Sequence, residues 1–173
     1  MEPARYIVFG VLALGGLVAL LCASAIFQRY GVAVTVFGEQ LVKLIAADNI
    51  DRALRLCAAA RKNYAARVLK PVVEASRDGA GESALRQTLQ QQSERVARAE
   101  KPLTLGCIIA LTDLGTAIAL DWTLPGVPRG TASVIAAVVI AITLLAMSKV
   151  STHRAKTEQA AEAVIAAINK QRA

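Results

Sequence analysis

Three long apolar runs, separated by a polar stretch of about seventy residues, dominate the chain. The runs at 6–27 and 131–148 contain no charged residue, and the run at 103–120 contains one, Asp113. A helix of about 20 apolar residues crosses the hydrocarbon core of a bilayer, where backbone groups must be satisfied within the segment. The pattern therefore predicts three transmembrane helices, near residues 6–27, 103–121 and 131–149.

The polar stretch after the first run is predicted to be helical as well. Residues 36–47 carry apolar residues at i, i+4 spacing and are expected to continue the first span as an amphipathic helix. Asp48 is expected to cap a second helix that begins near Ile50. Residues 65–76 form a third segment with an apolar face, which Pro71 is expected to bend or break.

A turn with the sequence Arg-Asp-Gly-Ala-Gly at 77–81 precedes the next predicted helix. That helix is expected to begin at Ser83 as its N-cap and to run straight into the second span. The second span would then be the outer half of one long helix. After the third span, residues 157–168 have the spacing of an amphipathic helix.

The predicted fold class is all-α, a polytopic membrane protein with three transmembrane helices and a helical cytoplasmic domain. Its parts are a first transmembrane helix at 1–30, the cytoplasmic domain at 31–101, a transmembrane hairpin at 102–149 and a cytoplasmic tail helix at 150–173. Composition agrees with this class. The mean hydropathy is +0.46 and 55% of residues are apolar, which is too hydrophobic for an ordinary soluble domain.

Basic residues lie almost entirely on one side of the predicted spans. Of the 20 Lys and Arg residues, 13 lie in 28–101 and 5 lie after residue 148, which leaves only Arg5 and Arg129. The positive-inside rule therefore places the N-terminus and the turn at 121–130 outside, with the polar domain and the tail in the cytoplasm. The net charge of +7 is thus a topology signal. Nucleic acid is not an expected partner, because acidic residues are interspersed among the basic ones.

A cleaved signal peptide is an alternative explanation of the first run. Ala23, Ser24 and Ala25 fit a small-x-small cleavage site, and Cys22 suggests a lipoprotein. Against this, the apolar run exceeds the usual length of a signal-peptide core. Cleavage would also place the basic domain outside, against its charge.

The sequence lacks the motifs of soluble active sites. It contains no P-loop, G-x-S-x-G, H-E-x-x-H or Gly-rich dinucleotide motif. Cys22, Cys57 and Cys107 have no metal-ligand spacing and are expected to be buried, reduced thiols. His153 is the only histidine, and it and Arg154 are expected at a solvated or headgroup-level position just past the third span. Neither enzymatic activity nor a metal or cofactor is therefore expected.

The order of these segments resembles the MotA/TolQ/ExbB proton-channel family. The first span is followed by FGEQLVKLIAADNIDRALRLC, and the second span contains ALTDLGT, in which Leu114, Gly115 and Thr116 match the family's apolar stretch. The third span departs from the family, since it has no acidic residue. The residues of the first segment that match the family's pattern are Leu41, Leu44, Ile45, Asp48, Ala53, Leu54 and Cys57.

The resemblance implies a homo-oligomer, a pentamer in that family, in the bacterial inner membrane. A single-span partner of the ExbD/TolR/MotB kind would occupy the central pore and supply the titrating acid. Proton flow would then power transport or motility, with Thr116 matching the family's pore-facing threonine. The alternative is a non-conducting oligomeric scaffold or anchor with the same fold.

Asp113 is the most informative polar residue of the spans, because a carboxylate at mid-bilayer costs at least ~2.5–3.5 kcal/mol and must face a cavity or a partner, or be protonated. Three interpretations of Asp113 are open. It has a structural role, it takes part in ion passage, or the predicted span is shifted in register, so that Asp113 lies at another depth in the bilayer. The proton-pathway candidates are Asp113, Thr112, Thr116 and Thr143. The candidates for close helix packing, chosen for their small side chains, are Gly15, Ala19, Ala23, Gly106 and Ala110.

Overall fold

The computed structural model describes residues 3–123 and 131–172, which are helical almost throughout and contain no strand. Three helices are long and apolar enough to cross a membrane. The predicted all-α membrane class is therefore confirmed, whereas most of the predicted turn at 121–130 lies outside the described residues. The helices in these two ranges are α1 (Pro3–Arg29), α2 (Val34–Ala46), α3 (Ile50–Ala59), α4 (Tyr64–Arg77), α5 (Glu82–Thr123) and α6 (Thr131–Arg172).

The chain divides into two compact units. The described residues of Met1–Phe27 and Lys101–Ser148 form the first, here called the membrane unit. Those of Gln28–Glu100 and Lys149–Ala173 form the second, here called the polar unit. Both α5 and α6 contribute to each unit, because they are single helices of 42 residues that continue beyond their apolar halves.

Helices of the membrane unit bury many small residues between them and expose most of their large ones. On α1 the buried positions include Ala19 and Ala23, whereas Leu14, Leu17 and Leu21 are exposed. Lipid chains are as apolar as leucine, so helices in a bilayer gain most from close backbone approach. The buried apolar residues that hold the three helices together are Leu12, Ala19, Ala110, Leu114, Ala117, Ala136 and Val139.

The polar unit has the opposite arrangement, with an aliphatic core and a charged surface. The core-facing positions of α2 recur at i, i+3, i+4 spacing, the apolar stripe of an amphipathic helix. The last part of α6 supplies a similar stripe, so the predicted amphipathic tail is the end of one long helix. The core residues from these two helices are Val34, Phe37, Leu41, Ile45, Ala161, Val164, Ile165 and Ile168.

Several predicted helix boundaries were wrong in detail. The first span does not continue into residues 36–47, because α1 ends at Arg29 and α2 begins at Val34. Asp48 does not cap α3: it has a left-handed backbone, with φ of 55°, and its Oδ1 accepts a hydrogen bond of 2.6 Å from Gln171. Asn49 occupies the N-cap position without a side-chain hydrogen bond.

Two proline positions are accommodated inside helices. Pro71 does not end α4, which continues to Arg77, and Pro102 lies within α5. The predicted cap at Ser83 was two residues too late, because α5 begins at Glu82 and Gly81 therefore occupies the N-cap position. Asn63 is a side-chain cap that the sequence pattern did not single out, and its Oδ1 accepts a hydrogen bond of 2.9 Å from the backbone N–H of Ala65.

Gly38 permits the close approach of α2 and α6. A Cβ atom on Gly38 would lie 2.8 Å from the Cβ of Ala160, which cannot rotate away. We expect Gly38→Ala to destabilise the protein by about 1–3 kcal/mol, the usual effect of overpacking. Gly81→Ala is the matched control, since nothing lies within 4 Å of its added methyl group. Thermal unfolding in lipid nanodiscs, followed by circular dichroism, tests the difference, and equal melting temperatures would contradict it.

Candidate functional site

Helices α1 and α5 are antiparallel in the membrane unit and approach closely at two glycines. A Cβ added to Gly15 would overlap the carboxylate of Asp113, and one added to Gly106 would lie 3.1 Å from Sγ of Cys22. Gly15 of α1 meets Asp113 of α5, and Cys22, further along α1, meets Gly106, which is earlier in α5. The two helices therefore run in opposite directions. Both glycines therefore provide room for a side chain of the neighbouring helix.

Asp113 lies on the α1 side of α5 and is half-buried. Its carboxylate has no hydrogen-bond or ion-pair partner among residues 3–123 and 131–172. Gly15 supplies the space that the carboxylate occupies, so this acid contacts another helix of its own chain. A site between two helices suits a carboxylate in a span better than direct exposure to lipid does.

The three candidate threonines divide between the outside and the inside of the membrane unit. Thr112 and Thr116 are exposed on α5, and each hydroxyl donates to the carbonyl four residues earlier, at 3.0 Å to Ile108 and 2.9 Å to Thr112. Thr143 is fully buried, and its hydroxyl donates to the carbonyl of Val139 at 2.8 Å. Because the backbone satisfies each hydroxyl, these residues need no other partner in an apolar environment.

The structure does not gather the four proton-pathway candidates in one place. Thr112 and Thr116 share the outward face of α5, Asp113 lies at the border of that face beside α1, and Thr143 is enclosed within the chain. Asp113 and Thr116 are about 60° apart around the helix, so they can border a common surface. Thr143 cannot reach that surface from its buried position.

The small residues chosen for helix packing lie between helices of the same chain. Gly15, Ala19 and Ala23 are buried on α1, and Ala110 is buried on α5, with Gly106 half-buried beside Cys22. These positions are therefore occupied by contacts within one molecule. Contacts between molecules would have to use other surfaces, such as the outward face of α5.

A buried carboxylate dominates the polar unit. Glu100 on α5 is 2% exposed and accepts a hydrogen bond from the hydroxyl of Tyr30, in the connection between α1 and α2. Arg67 on α4 lies 3.8 Å from its Oε1, and Arg154 on α6 lies 3.6 Å from its Oε2. One acidic group thus binds residues from three other segments. We call Tyr30, Tyr64, Arg67, Glu100, His153 and Arg154 the Glu100 cluster.

Aromatic rings enclose the hydroxyl side of the cluster. The ring of Tyr30 stacks on that of Tyr64, with centroids 5.5 Å apart, and meets the ring of His153 edgewise at 5.3 Å. The guanidinium carbon of Arg154 lies 5.8 Å from the centroid of Tyr64, within the range of a cation–π contact. This shell excludes water from the bond between Tyr30 and Glu100.

Burial changes the proton affinities of these rings. It raises the pKa of Tyr30 well above its ordinary value, and the hydrogen bond and negative charge of Glu100 raise it further. Burial also raises the pKa of Tyr64 and lowers the pKa of His153. Tyr30 therefore remains a protonated donor, and His153 favours its neutral form.

The sequence pattern missed the Glu100 cluster. Glu100 was considered only as one of the acidic residues interspersed among the basic ones. Of the two positions expected for His153, solvated or headgroup-level, the solvated one is wrong because His153 is only 7% exposed. A signal was present: Leu85, Leu89 and Val96 form one stripe of α5, and Glu100 lies four residues further on the same stripe. An acid on an apolar stripe requires partners from the elements that cover it.

The described ranges contain no group of three or more His, Cys, Asp or Glu side chains that could hold a metal ion. Comparison with protein-family models, with curated proteins and with solved structures finds no match.

Removal of the Glu100 charge should destabilise the protein strongly. In Glu100→Gln two arginines lose their counter-charge, and breaking a buried ion pair from one side costs about 3–5 kcal/mol. We expect an effect near the lower end, because each arginine is about a third exposed. Glu94→Gln is the matched control, since its pair with Arg98 is exposed and contributes about 0.3–0.5 kcal/mol. Chemical denaturation in mild detergent measures the free energy of unfolding of both variants. An equal decrease in the two would contradict a central role for Glu100.

Proposed function

We propose that this protein is the pore-forming subunit of a proton-driven complex of the ExbB/TolQ/MotA kind in the bacterial inner membrane. The outward face of α5 in the membrane unit is the observation that carries the proposal. That face combines the hydroxyls of Thr112 and Thr116 with Gly115, all exposed in the single chain. The corresponding face of α1 presents leucine side chains instead.

Between Thr112 and Thr116 this face is small and polar and can pack against a neighbouring helix or face water. Earlier on the same face Leu105, Ile108 and Ile109 are exposed. Several copies of the chain arranged in a ring, five in the family that the sequence resembles, would turn this face toward a central pore. The leucines and phenylalanines of α1 would then face the bilayer. A single-span partner of the ExbD/TolR/MotB kind would occupy the pore and supply the titrating carboxylate.

The distribution of charge supports the proposed orientation. Among the 20 basic residues, 18 belong to 28–101 or to the segment after residue 148. The positive-inside rule would then hold the polar unit and the C-terminus in the cytoplasm and the N-terminus outside. Proton flow through the pore would power transport or motility through the partner.

A non-conducting scaffold is the second candidate function. Asp113 is the only acid in 101–119 and 133–148, and it lies against Gly15 on the side of α1. The outward face of α5 thus carries hydroxyls without a titrating group of its own. An oligomer without a proton-carrying partner would serve to anchor other proteins.

Thr116→Val tests the pore-lining role. Valine keeps the shape but removes the hydroxyl. The hydroxyl donates to the backbone of Thr112, and its oxygen can still accept a hydrogen bond from water in the pore. The loss of that acceptor, worth about 1 kcal/mol, should reduce proton flux about fivefold. Flux is measured with a pH-sensitive dye in vesicles that hold the complex purified with its partner. Thr143→Val is the matched control, since this residue is buried within the chain and its change should leave flux intact. A reduced flux in the control but not in Thr116→Val would refute the proposed pore face.

Asp113→Asn and Asp113→Leu separate packing from proton transfer. Asparagine keeps the size of the side chain, so we expect the oligomer and most of the proton flux to persist. Leucine is bulkier beside Gly15 and should disrupt the approach of α1 and α5, with loss of the oligomer in native mass spectrometry. Loss of flux in Asp113→Asn with an intact oligomer would instead place Asp113 in the proton path.

A stable monomer of the unmodified protein in mild detergent would exclude the oligomeric pore.

A further inference from the structure

The only histidine of the chain is buried in the polar unit. His153 is 7% exposed, and its Nδ1 has no hydrogen-bond partner in the described part of the chain. Its ring meets Tyr30 edgewise and interacts with backbone groups of Tyr30 and Val32. These contacts join α6 to the connection at 30–33, between α1 and α2.

Two positive charges lie near this ring. Lys149 and Lys156 flank it on α6, one turn to either side. Burial is the main cause that lowers the pKa of His153 below its ordinary value of 6.5, and the two lysines lower it further, whereas the backbone hydrogen bonds partly oppose this. The other titratable and charged groups of the cluster are Tyr30, Tyr64, Arg67, Glu100 and Arg154.

The negative charge of the cluster is already engaged. Glu100 accepts the hydroxyl of Tyr30 and lies near Arg67 and Arg154. A proton on His153 would therefore add a positive charge at a buried position near Lys149 and Lys156, and the backbone groups of Tyr30 and Val32 offset this cost only in part. A neutral imidazole fits this site, and an imidazolium does not.

We propose that His153 makes the polar unit acid-sensitive, because protonation of its buried ring loosens the contact between α6 and the connection at 30–33. This inference goes beyond the proposed function and does not depend on it. The direction of the effect follows from the linkage between protonation and folding. A basic group whose pKa is lower in the folded state contributes its full stabilisation of the fold at pH values above its pKa in the unfolded state, which is about 6.5 for histidine. That stabilisation is lost as the pH falls from there through the folded value.

Two measurements on the full-length protein in lipid nanodiscs test the proposal. Selective ¹⁵N labelling of histidine gives one pair of ring signals, because the chain has a single histidine. We expect a neutral ring at about pH 7.5 and a titration midpoint below 6.5. Hydrogen exchange of peptides covering 28–36 and 149–157, corrected for intrinsic exchange, should show local opening that rises by up to about tenfold per pH unit on acidification, the limit for one proton.

Variants separate the histidine from the surrounding packing. His153→Gln should abolish the acid-dependent rise in opening, because glutamine does not titrate. Tyr30→Phe keeps the ring but loses the bond to Glu100, so it should raise opening at every pH and leave the pH slope unchanged. Lys156→Gln should move the histidine midpoint upward, since one repelling charge is removed.

Three outcomes would overturn the proposal. The first is an imidazolium signal at pH 7.5 in the unmodified protein. The second is an acid-dependent rise in opening that His153→Gln leaves unchanged. The third is equal hydrogen exchange of the unmodified protein at neutral and acidic pH. The NMR titration and the hydrogen exchange both use the unmodified protein, so together they decide the matter even where His153→Gln fails to fold.

Discussion

Burial of a single carboxylate organises the polar unit. A buried charge is tolerated only when hydrogen bonds and opposite charges replace its lost hydration. Glu100 obtains these from Tyr30, Arg67 and Arg154, which belong to three segments far apart in sequence. Glu100 therefore links the 30–33 connection, α4 and α6 to α5. The stacked rings of Tyr30 and Tyr64 exclude water from its carboxylate.

A different constraint governs the membrane unit. Burial of apolar surface gives little advantage in lipid, so helix association depends on close approach and on local satisfaction of polar groups. Gly15 makes room for Asp113, and the buried apolar residues of α1 include Leu12, Ala19, Ala23 and Ile26. The threonines satisfy their hydroxyls on their own helix, which makes them compatible with lipid, with water or with another subunit.

These two constraints bear on the proposed pore in different ways. The outward face of α5 remains uncovered in one chain, and its hydroxyls and glycine are suited to an assembly. The carboxylates have inward contacts: Asp113 lies against α1, and Glu100 lies within the polar unit. A subunit of this kind would offer a polar surface and a stable frame, and the titrating group for proton transfer would come from a partner.

The sequence by itself determined the helical class, the three spans and the polarity of each segment, because run length and hydrophobic period depend on local residue order. Local order also predicted small residues at helix contacts. Only the tertiary structure decided that Asp113 faces Gly15, that Thr143 is enclosed, and that Glu100 and His153 are buried. Those outcomes depend on which distant residues cover a position. A charged residue on an apolar stripe has the same local pattern whether solvent or a partner from another helix meets it.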